Sequence, residues 1–196
     1  MISKILPARS FYHTCRYVTT KQDADIICSE GVRTYDYKRM AADFESQRQM
    51  HPSKTIACFH AILSFHPSEQ PNDQLLRQIA GEYLQALGVT GTQFAVCQHT
   101  DRDHRHLHII ANMVNNNGKT ISDTWIGLRG KKIAQQLTIH HGLIQAKEKN
   151  LALTHTESLN EYEAAKYKIY VSIAENLGKT NSLQGLTALL KKQGID

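Results

Sequence analysis

With 196 residues and 41% hydrophobic content, the chain has material for one sizeable domain plus a helical addition, which excludes a disordered or fibrous protein. Lys and Arg outnumber Asp and Glu by 23 to 18, so the net charge of +5 favours a polyanionic partner without histone-like basicity. Cys15, Cys28, Cys58 and Cys97 lack Cys-x-x-Cys spacing and no apolar run has membrane-spanning length, so the expectation is a cytoplasmic protein with free thiols, without membrane insertion.

Residues 1–9 read as a short lead-in. Ser10 then has the character of a helix N-cap before Phe11–Val18. On such a helix Tyr17 lies one turn after His13 and one turn before residue 21, and Tyr12 sits on another face. Ala24–Cys28 reads as extended chain turned by Gly31. Residues 35–50 carry Tyr35, Tyr37, Met40, Phe44 and Met50 among polar neighbours, which predicts a helix with a partly apolar stripe. His51-Pro52-Ser53 ends it. Lys54–Pro67 is a nearly continuous apolar run rich in β-formers and predicts a central strand. Along it His60, Ile62, Ser64 and His66 share one face. Asn72 caps the next helix, whose Leu75, Leu76, Ile79, Tyr83, Leu84 and Leu87 recur at helical spacing until Gly88 stops it; Glu82 lies beside that stripe.

The densest chemistry follows at residues 99–112. Gln93–Gln98 predicts a strand that ends at His99, and His106–Asn112 predicts another. Alternation puts His106, His108 and Asn112 on one face, and Leu107, Ile109, Ala111 and Met113 towards a core. The polar stretch between the strands has hairpin length. Antiparallel pairing would bring His99 back beside His106 and His108. Three neutral imidazoles suit a divalent metal that keeps open positions for substrate. Asp101 is placed to orient one of the imidazoles or to accept a proton; Asp103 and a metal-bound hydroxide are the alternative bases, and His104 ranks fourth as a ligand.

Asn115–Lys119 is a turn, and Lys119–Ser122 a short returning strand. From Trp125 to about Lys149 runs a basic helix with a break expected near Gly130 or Gly142. Arg129, Lys131 and Lys132 form its densest positive spot, a candidate DNA-phosphate track, and His140-His141 reads as surface. The character changes at Asn150: 151–156 is loop-like, and 159–177 and 182–193 predict two helices. The expected division is therefore 1–150 and 151–196, with the second part packed on or closing over the first. The fold class is α+β, a central, mostly antiparallel sheet flanked by helices, with a helical C-terminal part.

The pattern His-x-Asp-x4-His-x-His-x3-Asn, filled by His99, Asp101, His106, His108 and Asn112, resembles the third motif of conjugative relaxases of the HUH endonuclease superfamily, most of all mobilisation proteins of the MOBP type. Ser10-Phe11-x5-Tyr17-Val18 is similar to their first motif, and His60–Pro67 to their second. The resemblance covers roughly residues 9–125. It implies a palm-like sheet with the metal histidines at its centre, Tyr17 as nucleophile (Tyr12, Tyr35 and Tyr37 being its rivals), Asp101 as catalytic partner, Ser64 on the DNA backbone and Asn112 in support. The implied cofactor is Mg or Mn, with Zn, Ni or Co as alternatives. The implied activity is metal-dependent, strand-specific nicking and religation at the origin of transfer of a plasmid or integrative element, through a 5′-phosphotyrosine link. Its partners would be single-stranded or extruded origin DNA, accessory relaxosome proteins and a type IV secretion coupling protein. Another HUH enzyme, such as a rolling-circle replication initiator or a transposase, and a non-catalytic origin-binding module are the competing readings.

Overall fold

The computed structural model describes residues 1–101, 104–146 and 161–195. The chain divides into two compact units, Met1–Ala146 and Lys147–Asp196. In the first unit the strands are β1 (Ile2–Leu6), β2 (Ala24–Glu30), β3 (Cys58–Ser64), β4 (Phe94–His99) and β5 (His106–Asn112). Its helices are α1 (Phe11–Thr19), α2 (Tyr37–Arg48), α3 (Asp73–Leu87) and α4 (Ile126–His140). The strands form one sheet in the order β1-β3-β5-β4-β2, with every neighbouring pair antiparallel. This is the expected α+β architecture.

The lead-in is not irregular chain. It is β1, an edge strand paired with β3 from Ile2↔Ser64 to Leu6↔His60. Pro7 follows at once and cannot donate to a ladder, so the strand ends there. The run expected as the central strand is ordered as β3 only over Cys58–Ser64. The centre belongs to β5, buried at all seven positions.

That burial means both faces of the sheet are covered. Ser3, Leu63 and Leu107 stand in one row across β1, β3 and β5. Ser3 Oγ meets Tyr83 Oη of α3 at 2.6 Å, so α3 lies on that face. On the other face Asn112 Nδ2 donates to the Phe44 carbonyl of α2 at 2.8 Å. There Phe11, Cys15 and Val18 of α1 and Met40 and Phe44 of α2 form a second apolar layer, with the Phe11 and Phe44 rings stacked at 4.9 Å. Each large side chain buried this way contributes about 1.5–3 kcal/mol.

Local signals set the helix ends. Ser10 accepts from His13 N at 3.3 Å, Asp36 from Arg39 N at 2.9 Å and Asn72 from Leu75 N at 2.9 Å. Gly88 closes α3 in the left-handed region, φ 75°. The expected helix from Trp125 stops at His140, because Gly142 turns the chain at φ 62°. Gly130 does not break it, and its missing Cβ lets α4 approach Tyr83. The returning strand expected at Lys119–Ser122 is reduced to one bridge, Val114↔Thr120. Cys15, Cys58 and Cys97 are buried free thiols, and burial pushes each of them up to about 12.

The second unit contains α5 (Glu161–Leu177) and α6 (Leu183–Lys192), which pack on each other. Ser182 caps α6 by accepting from Gly185 N at 3.1 Å, and Asn176 Nδ2 reaches Gln193 Oε1 at 3.3 Å. Asp103 and residues 151–156 lie outside the described residues. Among the described residues no helix is long and apolar enough to cross a membrane.

Candidate metal and tyrosine site

Hairpin register brings the histidines together. His99 pairs directly with His106, and His108 sits opposite Cys97, two residues before His99. All three imidazoles therefore leave one sheet face. Their rings lie 4.3–5.3 Å apart, and one ligand atom of each falls within 4.8 Å of the others. The three residues are at most 3% exposed.

Neighbouring groups fix how each ring presents itself. His99 Nε2 donates to the Val18 carbonyl of α1 at 2.7 Å, which puts that ring's lone pair on Nδ1. His108 Nδ1 lies 2.8 Å from His60 Nε2. With His108 donating there, its Nε2 carries the lone pair as a ligand requires. His106 has Nδ1 3.4 Å from the His104 carbonyl and Nε2 3.4 Å from Asp101 Oδ1. Burial first, then the field of His99, pushes His60 down to about 4 and His108 down to about 2. Both rings are neutral near pH 7, the form that binds a metal. Three converging imidazoles, that of His108 held neutral, fit a divalent cation held by His99, His106 and His108.

Tyr17 comes to this cluster from α1. Its ring centroid is 5.6 Å from His108 and 6.2 Å from His60, both edge-on. The tyrosine is 45% exposed although the histidines below it are buried, so its phenol remains open to a large substrate. Four residues on, Lys21 holds its ammonium 5.3 Å from the Tyr17 ring centre and 2.6 Å from Asp101 Oδ2. The Lys21 hydrogen bond holds the Asp101 carboxyl below the usual carboxylate range, against a smaller opposing effect of burial. Tyr12 and Tyr37 instead meet each other, with hydroxyls 3.4 Å apart, and Tyr35 is 77% exposed.

Ser64 is half-buried and pairs directly with His106, on the same sheet face. Asn112 is on that face too, but at the other end of β5. Its side chain binds the Phe44 carbonyl, Gln93 Oε1 and Val114 N, so it anchors α2 and the chain after β5. The basic trio is not brought to the histidines. Gly130 of α4 faces Tyr83, Ile5 and Ser3, which puts α4 behind the sheet. Arg129 there donates to the Leu87 carbonyl at the end of α3, while Lys131 and Lys132 are exposed.

Two contributors escape a reading in one dimension. His60 shares a face with Ser64 in the sequence, yet its contact with His108 depends on β3 and β5 being neighbours. Lys21 carried a fainter signal, its place one helical turn after Tyr17.

The model of the family described as relaxase, MobA/VirD2-like, nuclease domain, matches residues 17–143. The chain is 26% identical over 140 residues to a Protein TraI of Escherichia coli, covering 66% of this chain and 19% of that protein. A second Protein TraI of Escherichia coli is 27% identical over 138 residues, covering 64% of this chain and 18% of the relative. The chain thus spans about a fifth of the length of these curated relatives. The matched region runs from the tyrosine of α1 past the end of α4 and takes in all three histidines, and by that match the chain belongs to the MobA/VirD2-like relaxases, through their nuclease domain.

Proposed function

We propose that this chain nicks one strand of DNA at an origin of transfer and rejoins it, using Tyr17 as nucleophile. The observation that carries the reading is an exposed phenol whose ring centroid stands 5.6 Å from that of His108, a member of the buried histidine cluster. The Tyr17 hydroxyl attacks a phosphodiester phosphorus. The new bond is Tyr17 Oη to phosphorus, and the bond to the 3′ oxygen breaks. The 3′ oxygen leaves as a hydroxyl after taking a proton from solvent water, and the phenol proton passes to Asp101, which is hydrogen-bonded to Lys21. Attack by the 3′ hydroxyl reverses these steps, so rejoining needs no external energy source.

His99, His106 and His108 would hold the divalent cation, Mg or Mn by preference, which when bound supplies Lewis-acid stabilisation of charge on a non-bridging phosphate oxygen. His60 keeps the His108 ring turned for that purpose. Lys21 steadies Asp101 through their hydrogen bond. Ser64, beside His106, is suited to hydrogen-bond a backbone phosphate, a positioning contact that reads no bases. A groove of about 600 Å³ between α1 and α2, with Arg9, Tyr12, Lys38 and Arg48 along it, supports passage of the flanking strand on this face. Lys131 and Lys132 would meet DNA only if it wrapped to the back of the sheet. Relaxosome proteins and a secretion coupling protein are the partners this activity calls for.

The test is incubation with labelled single-stranded origin DNA and Mn²⁺ or Mg²⁺. The expected product is a covalent adduct whose peptide maps to Tyr17, and Tyr17→Phe lowers nicking by at least about 10³-fold while DNA binding persists. An adduct on Tyr12, Tyr35 or Tyr37 would reassign the nucleophile. Binding without any adduct, in either metal, would make the chain an origin-binding module instead.

A further inference from the structure

We propose a second divalent transition-metal site, formed by Glu82, His140 and His141 on the face of the sheet opposite Tyr17, which pins α3 to the end of α4. One ligand atom from each of these residues lies within 4.8 Å of the other two. Glu82 Oε2 is 2.7 Å from His141 Nε2, so these two side chains need to part by only about 0.6 Å to admit an ion in place of the hydrogen between them. The other oxygen, Oε1, accepts from Gln78 Nε2 at 2.9 Å, which fixes the carboxylate plane. The His140 and His141 rings are 4.8 Å apart and 80° to each other, so they approach a common point from different directions.

The surroundings favour a cation. His140 ends α4 and His141 follows it, where the last carbonyls give the negative end of the helix dipole. The His141 side chain is only 8% exposed and that of Glu82 31%, while His140 is exposed, so the site is closed on one side and open to solvent on the other. Two imidazoles and one carboxylate match zinc, nickel or cobalt, with water completing the shell. In sequence a His-His pair reads as surface because consecutive helix residues point about 100° apart. The end of α4 removes that constraint, since His141 no longer belongs to the helix.

The site is remote from the tyrosine, so its role is to hold the fold. Arg129 ties the start of α4 to the end of α3, through the Leu87 carbonyl. The metal would tie the other end of α4 to Glu82. This inference does not depend on the nicking reaction.

The test is zinc titration of the full chain carrying His106→Ala and His108→Ala, which removes the front cluster. Calorimetry is expected to show one Zn²⁺ per chain, and Tm should rise by about 5–10 °C at a hundredfold excess over the dissociation constant. Adding Glu82→Gln and His140→Ala abolishes both effects. In the unsubstituted protein, Co²⁺ broadens the amide signals of residues 78–86 and 137–143 as well as those near the front cluster. Loss of all stoichiometric zinc binding from a folded His106→Ala/His108→Ala chain overturns the proposal. So does residual binding indifferent to Glu82→Gln and His140→Ala, or Co²⁺ that leaves the 78–86 and 137–143 signals sharp.

Discussion

His60 shows how much one residue can do without touching substrate. Its Nε2 stands 2.8 Å from His108 Nδ1, so it selects both the tautomer and the direction of a candidate ligand. His60→Ala is expected to weaken metal binding at the front cluster by about 10–100-fold, measured by calorimetric Mn²⁺ titration. His60→Gln, which keeps an acceptor in reach, should recover part of that loss. Lys21 acts on Asp101 in the same indirect way. In Lys21→Met the Asp101 carboxyl loses the hydrogen bond that lowers it, so it titrates at higher pH, which carbon-13 NMR of the side chain would follow. The clustering of the three histidines was legible in the sequence, because alternation and hairpin length alone bring His99 to His106 and His108. His60 and Lys21 were not assigned their parts, since their contacts come from strand order and from a turn whose course composition does not fix.

At the level of elements, the interior of α4 contains a glycine where propensity favours alanine by about 1 kcal/mol. Packing overrides that preference. A Cβ on Gly130 would sit 2.5 Å from Tyr83 Oη and 3.0 Å from Ile5 Cδ1, neither able to retreat far within a buried layer. Gly130→Ala is therefore expected to destabilise the fold by about 1–3 kcal/mol in a urea melt, opposite in sign to an exposed helix site. Asn112→Ala strips hydrogen bonds from the Phe44 carbonyl and Val114 N in a fully buried place, and should lower stability by about 2 kcal/mol. The caps at Ser10 and Asn72 and the stop at Gly88 were readable because each is a local bond or a local dihedral. β1 was not, because an edge strand of five residues ending at Pro7 becomes a strand only when β3 lies beside it. The basic trio of α4 misled for a related reason. Charge density along the chain does not tell which side of the sheet a helix covers, nor that a guanidinium is committed to a helix end.

For the molecule as a whole, the acid side of its stability has an identifiable contributor. Arg33 donates to both oxygens of Asp43, at 2.6–3.2 Å, and its hydrogen bond, opposed by some burial, holds the Asp43 carboxyl below the usual range. A carboxyl lowered on folding adds stability above its unfolded value near 4, and that stability fades as pH falls through the lowered folded value. Asp43→Asn should thus reduce stability at pH 7 more than at pH 2, and a series of melts across that range would show the difference shrinking towards acid. The net charge of +5 points to a polyanion partner only in outline.

The strand order β1-β3-β5-β4-β2 also has a bearing on synthesis. The two strands that leave the ribosome first are the outer ones, and the strand every other part of the sheet leans on, β5, leaves last. Of the sheet's neighbouring pairs, only β4 and β5 are also consecutive in the chain. Until Asn112 has cleared the exit tunnel, β1 with β3 and β2 with β4 can form only two separate antiparallel pairs, with no central strand to join them into one sheet. The histidine hairpin is thus the natural nucleus for collapse, so the residues that would grip the metal also set when the fold can begin.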